Sequence, residues 1–232
     1  MQPTYVSKSI TALSSNGIGA IAAGQSTAVT LNSSQLDTGR RIALVSNAGA
    51  DISTAFFTIT GTREGGGIIR ETLVGSTGTT TRQTTQDFLT VTSITASSVL
   101  GSSALFGTSS IGGTPWQMVN WQISPIELGG GIAFSTGAAS VTASIEHTFD
   151  DPTGTYPNRF SGANGSTQSA NIGVPSVYVS TSLQNLNPSN VLWSPFPSDS
   201  FAPFTPCAAW RLTIVSSGGG TITATVVQSG VG

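Results

Sequence analysis

Apolar and polar side chains alternate along Ala139-Ser-Val-Thr-Ala-Ser-Ile-Glu-His-Thr-Phe-Asp-Asp-Pro152. Val141, Ala143, Ile145, His147 and Phe149 fall on one side of an extended chain; Ser140, Thr142, Ser144, Glu146 and Thr148 fall on the other. A period of two predicts a half-buried strand, because successive side chains point to opposite faces. Asp150-Asp151-Pro152 predicts its end, since proline removes a ladder donor and aspartates favour turns.

The same logic reads residues 26–31, 40–46, 53–62, 68–74, 88–95 and 103–106 as strands rich in β-branched and aromatic side chains. Arg63-Glu-Gly-Gly-Gly67 predicts a hairpin turn between two of them, and the polar run 77–86 a loop or an edge. Ile111-Gly-Gly-Thr-Pro115 reads as a joint, after which the pattern repeats with 117–124, 126–128 and 139–149. A closing hairpin is expected from 208–215 and 221–227, echoing 89–106 in the first half. Short strands at regular spacing with turn residues between them indicate a sandwich or barrel. The expectation is an all-β chain of two tandem antiparallel β-sandwich domains, jelly-roll or Ig-like, over 25–110 and 115–232; one larger sandwich is the alternative. Residues 1–24 sustain no period and read as an N-terminal arm.

Residues 153–206 form a long insertion in the second half, rich in Asn, Gly, Ser and Pro. Loops longer than about 12–15 residues without structure are uncommon in compact domains. The insertion reads either as an arm packing on a neighbouring subunit through Tyr178, Trp193, Phe196 and Phe201, or as a loop folded over its own domain.

Composition changes this picture in one respect. Charged residues are 8% of the chain, about a third of the usual share. A Thr/Ser/Gly surface with so few charges suits a subunit packed against copies of itself and other proteins. The net charge of −2 offers no basic face for nucleic acid. No apolar run approaches the ~18 residues that would cross a bilayer, and the stretch 17–23 lacks the charged flank of a secretory leader. Cys207 is the only cysteine, so no intrachain disulfide or Cys-based metal site is expected.

Candidate chemistry is thin. His147 is the only histidine, and the strand period sends its neighbour Glu146 to the opposite face. Every Ser/His or Cys/His arrangement must pass through it, and no Gly-x-Ser-x-Gly elbow presents a serine. Asp150 and Asp151 could in principle bind calcium, but adjacent aspartates before a proline read as a turn. Glu64, Glu71, Glu127, Glu146 and Asp151 show no spacing that pairs two of them for acid–base work. Gly65–67, Gly129–131 and Gly218–220 precede neither Lys-Ser/Thr nor a helix start, so they read as turns rather than phosphate loops. Arg40-Arg41 reads as a solvated strand end. The expectation is no catalytic, cofactor or metal residue, and no enzyme.

Phe57-Thr-Ile-Thr-Gly-Thr62, Arg70-Glu-Thr-Leu-Val-Gly75 and Phe88-Leu-Thr-Val-Thr-Ser-Ile-Thr95 resemble the sequence style of tailed-bacteriophage virion structural proteins. So do His147-Thr-Phe-Asp-Asp-Pro152, Trp210-Arg-Leu-Thr-Ile214 and the run Ser216-Ser-Gly-Gly-Gly-Thr-Ile-Thr-Ala-Thr-Val-Val-Gln228. The resemblance covers roughly 40–110 and 139–227. It implies a noncatalytic β-sandwich subunit of a virion assembled in the host bacterial cytoplasm, first of all an oligomeric capsid decoration or cement protein. Its partners would be copies of itself and other capsid or tail proteins, with no cofactor. A tail, head-tail or fibre component is the second reading. A glycan-binding module using Trp116, Trp121, Tyr156 and Tyr178 is the third.

Overall fold

A computed structural model describes residues 2–11, 14–24, 27–47, 50–119, 124–135, 141–148, 178–186, 209–216 and 220–231. Among them are fifteen strands and no helix longer than a turn. In chain order these are β1 (Gln2–Ile10), β2 (Ser14–Ile21), β3 (Thr30–Leu31), β4 (Gln35–Ser46), β5 (Phe56–Thr62), β6 (Ile68–Val74), β7 (Arg82–Gln83) and β8 (Phe88–Ala96). They continue with β9 (Ala104–Gly113), β10 (Gln117–Met118), β11 (Ser124–Ser135), β12 (Val141–Thr148), β13 (Tyr178–Leu186), β14 (Ala209–Ser216) and β15 (Gly220–Val231). The protein is all-β and its strands pair antiparallel. The chain divides into two compact units at Gly112/Gly113, and the first twelve residues belong with the later one. We call them the 13–112 unit and the terminal unit.

In the 13–112 unit the strand order is β9-β4-β8-β5-β6, with β2 and β7 pairing onto β9 and β4. Alternation along β5 and β6 builds its core, while β8, which pairs with β5 through a register shift between Thr60 and Gly61, buries Phe88, Val91 and Ile94 at a spacing of three. Phe57 and Ile59 of β5 and Ile69 and Leu73 of β6 point inward, meeting Phe88, Val91 and Ile94 of β8. Phe57 meets Phe106 of β9 edge to face, with centroids 5.4 Å apart, a favoured aromatic arrangement. The β5–β6 hairpin closes through Arg63 N–H to the Gly67 carbonyl at 2.9 Å. Gly65 and Gly66 supply the turn's positive φ values of 90° and 84°, which residues with a Cβ adopt only under strain. Gly61 is required for a different reason: a Cβ there would overlap the Thr90 carbonyl oxygen and stand 2.9 Å from Phe88 Cδ1.

The polar run after β6 is pinned at two points. Thr84 exchanges hydrogen bonds with Ile42 of β4, its hydroxyl accepting from the Ile42 N–H at 2.9 Å and its own N–H reaching the Ile42 carbonyl at 3.0 Å. The buried Glu71 carboxylate of β6 accepts from the Thr85 N–H (2.7 Å), the Thr85 hydroxyl (3.1 Å) and the Gln86 N–H (3.0 Å).

In the terminal unit, β12 lies between β13 and β14, and β10 pairs with β14. A second sheet has the order β1-β15-β11. Ala209, Trp210, Leu212 and Ile214 of β14 are buried. Thr114 fastens the chain to the same strand, giving its N–H to the Leu212 carbonyl at 2.9 Å and accepting the Leu212 N–H at 3.0 Å.

Several expectations are corrected. Residues 2–10 and 14–21, read as an unpatterned arm, are strands; β1 holds nine consecutive pairings with β15. A ladder of main-chain hydrogen bonds needs no apolar period, so small polar residues conceal it. Among the described residues the expected closing hairpin does not form: β14 pairs with β12 and β10, while β15 pairs with β1 and β11. Likewise β8 and β9 flank β4 instead of pairing with each other. Gly129–131 is no turn but the middle of β11, in register with Val227, Val226 and Thr225 of β15.

Candidate functional site

Among the described residues, the β5–β6–β8 surface of the 13–112 unit exposes several large apolar side chains. Alternation that sends Phe57, Ile59 and Leu73 inward sends Phe56, Thr58, Thr60 and Thr62 of β5 outward beside Ile68, Arg70, Thr72 and Val74 of β6. Register sets Phe56 directly opposite Val74, and Thr62 opposite Ile68. Phe56 is 50% exposed, Val74 46% and Ile68 76%. The threonines between them bond among themselves: Thr58 Oγ1 to Thr72 Oγ1 at 3.3 Å, Thr62 Oγ1 to Thr90 Oγ1 at 2.7 Å, and the Thr92 hydroxyl to the Thr60 carbonyl at 3.0 Å. Hydroxyls already partnered lose less when a surface is covered. Arg70 is the one charge in this set of strand positions.

A second cluster lies in the terminal unit. β12 and β14 run in unbroken register, setting Glu146 opposite Arg211 and His147 opposite Trp210. Arg211 Nε donates to Glu146 Oε2 at 2.7 Å, and its guanidinium stands 4.8 Å from the centroid of the Trp116 ring, within cation–π range. Both charges are largely buried, with 14% and 10% of their side chains exposed. This row neutralises its own charge and offers no second carboxylate for proton transfer.

The 13–112 unit holds a third. Arg40 is fully buried, with Nε and Nη2 on the two carboxylate oxygens of Asp37 at 3.0 and 2.8 Å and Nη1 on the Ser109 carbonyl at 3.0 Å. It is therefore a clasp between β4 and β9, not a solvated strand end. A Cβ at Gly112 would press on Arg40 Cδ at 3.2 Å, so a glycine of the expected joint makes room for the arginine stem. Neighbouring Arg41 lies 3.7 Å from Asp87. The spacing Asp37-x-x-Arg40 was the signal available in the sequence.

Among the other residues singled out, Tyr178 begins β13 level with His147. Trp193, Phe196 and Phe201 lie outside the described residues, as do Phe149, Asp150, Asp151, Trp121, Tyr156 and Cys207. Glu71 and Glu146, two of the five candidate carboxylates, belong to different units and each is engaged. Among the described residues no three His, Cys, Asp or Glu side chains come together as metal ligands. Asp51 is exposed, and its carboxyl is held below the ordinary carboxylate value by the Ser53 main-chain N–H, which it accepts at 2.9 Å, and by the Ser53 hydroxyl. That is a local turn.

Fold and side-chain placement together define an all-β protein with an exposed, nearly uncharged sheet face. Compared with protein-family models, curated proteins and solved structures, the chain gives no significant match.

Proposed function

We propose that the protein is a noncatalytic structural subunit of a tailed-phage virion, an oligomeric decoration or cement protein bound to the capsid. Each of its two units is a β-sandwich in this reading, and the particle is assembled in the host bacterial cytoplasm. The observation that carries it is the apolar pair Phe56 and Val74, with Ile68, standing exposed on a sheet face that has a single charge. Exposed apolar groups rimmed by polar ones are what interaction sites offer. The low overall charge and the virion-like strand and turn motifs support the same reading. Mechanism is burial: a contact of about 1,600 Å² in total, repeated over many copies, reinforces a shell without a covalent link. Of the aromatic residues in the glycan reading, Trp116 has one ring face taken up by Arg211.

The test is binding of the purified protein to preformed capsids, followed by thermal melting of the particles. Wild type is expected to bind and raise their melting temperature, and Phe56→Asp to bind at least tenfold more weakly while folding normally, since Phe56 is half exposed. Absence of wild-type binding overturns the capsid role; co-purification with detached tails in ring or fibre stoichiometry replaces it with a tail role.

A further inference from the structure

β6 is the last strand of the 13–112 sheet and, among the described strands, pairs with β5 alone. That pairing runs from Phe56↔Val74 to Thr62↔Ile68 without a register shift. The bonds flanking it show which main-chain groups face β5: Arg63 N–H to the Gly67 carbonyl at 2.9 Å, and Gly75 N–H to the Ala55 carbonyl at 2.8 Å. Antiparallel pairs alternate between bonded and non-bonded. The N–H and C=O groups of Ile68, Arg70, Thr72 and Val74 therefore point away from β5. Phe56 agrees, since its carbonyl accepts the Ser97 N–H on the β8 side at 2.9 Å. Among the described residues only the Gln86 side-chain amide reaches this row, 3.5 Å from the Arg70 carbonyl, which keeps a second lone pair.

Such an edge is a template for another strand, and proteins commonly blunt it with lysine, proline or a bulge. β6 has none of these. Its two charges, Arg70 outward and Glu71 inward, instead discriminate between registers of pairing with a second β6. An antiparallel pair of identical strands is two-fold symmetric, so the residue on the axis defines each register. Centred on Glu71, two carboxylates stand directly opposite; centred on Arg70, two guanidinium side chains do. Like charges directly opposite are destabilising. Centred on Thr72, Thr72 meets its own copy, Arg70 meets Val74 and Glu71 meets Leu73. Inward residues then face inward ones, and the edge-facing groups of Arg70, Thr72 and Val74 meet their counterparts. The exposed Val74 gains the aliphatic stem of an arginine as cover.

We propose that β6 pairs with the β6 of a second copy of this chain, antiparallel and centred on Thr72. The pairing joins two 13–112 sheets into one and sets their outward faces side by side. One strand edge is a small contact beside the ~1,200 Å² of stable complexes, so the pairing depends on concentration and is strengthened where many copies are held together. It rests on the proposed reading in one respect: an oligomeric shell subunit needs a contact between its own copies.

The register supplies the test. The full chain carries Cys207→Ser, which removes the only cysteine, and then Thr72→Cys or, as control, Ile68→Cys. In the proposed register the two Thr72 positions lie about 5.5 Å apart at Cα, within disulfide reach. The two Ile68 positions lie roughly 20 Å apart or more at about 3.4 Å per residue. Oxidation should give covalent dimer from Thr72→Cys several-fold above Ile68→Cys, increasing with concentration. Equal yields, or none from Thr72→Cys, overturn the pairing. Thr72→Pro removes an N–H that faces away from β5, a position where an edge strand tolerates proline. Sedimentation equilibrium should show a wild-type dimer that Thr72→Pro weakens at least tenfold, with hydrogen exchange of β8 unchanged. A wild type monomeric at every concentration, or a dimer undiminished in folded Thr72→Pro, overturns the pairing; if Thr72→Pro unfolds, the disulfide comparison decides. Capsid binding by the unmodified protein is read separately. Pairing without binding overturns the capsid role alone, and binding with equal disulfide yields overturns the β6 contact alone.

Discussion

Arg40→Ala is the perturbation whose cost the structure fixes most closely. It removes a fully buried guanidinium that bonds both Asp37 carboxylate oxygens and the Ser109 carbonyl. Asp37 keeps the Thr38 N–H at 2.9 Å, and 18% of its side chain reaches solvent. Breaking a buried ion pair by deleting one partner costs about 3–5 kcal/mol, because the remaining charge stays desolvated; the residual exposure of Asp37 argues for about 3. At roughly 4–8 °C per kcal/mol for a domain of this size, the unit's melting midpoint should fall by on the order of 12 °C or more. All four tryptophans lie outside residues 13–112, so fluorescence reports the terminal unit. The assay is therefore hydrogen exchange of β4 and β9 peptides along a urea series. Arg40→Lys should recover only part of the loss, since an ammonium cannot span both carboxylate oxygens. Replacing both partners, Asp37→Asn with Arg40→Met, should cost less than Arg40→Ala. A single-variant loss under about 1 kcal/mol, or a double variant no better than the single, would refute the buried-pair argument.

Two further outcomes follow from local geometry, beside the capsid-binding experiment. Gly61→Ala should destabilise the 13–112 unit by at least ~2 kcal/mol, because its Cβ meets the Thr90 main chain. Gly65→Ala, with φ of 90° but open space around it, should cost only about 1–2 kcal/mol; equal losses in chemical denaturation would contradict the assignment. For Asp51, the folded carboxyl titrates below its unfolded value. Its stabilising contribution is thus present above the ordinary carboxylate range and lost as pH falls through the lowered value. An NMR titration should show the depressed midpoint, moving part of the way back in Ser53→Ala, which keeps the main-chain donor; an unshifted wild-type midpoint would discard the turn as its cause.

What the sequence determined by itself was the set of strands with an apolar period. Phe57-Thr-Ile-Thr-Gly-Thr62 and Ile68–Val74 announce their inward and outward faces, and Gly65-Gly66 announces the turn between them, because side-chain alternation and positive φ are local properties. The exposed Phe56 and Val74 were likewise within strands already legible, but their standing opposite each other is register, which alternation does not fix. Pairing was decided by tertiary structure. β14 and β15 look like a hairpin in sequence, yet each pairs with strands far away in the chain, since a strand's partners depend on which edges the rest of the fold leaves open. The same holds for charge. Arg40 and Arg211 are ordinary surface residues by composition; only the packing of β9 over one and of β12 and Trp116 beside the other turns them into buried clasps. β1 is the sharpest case. Its sequence carries no sustained apolar period, and its partner β15 lies at the opposite end of the chain, so no local pattern announces the pairing.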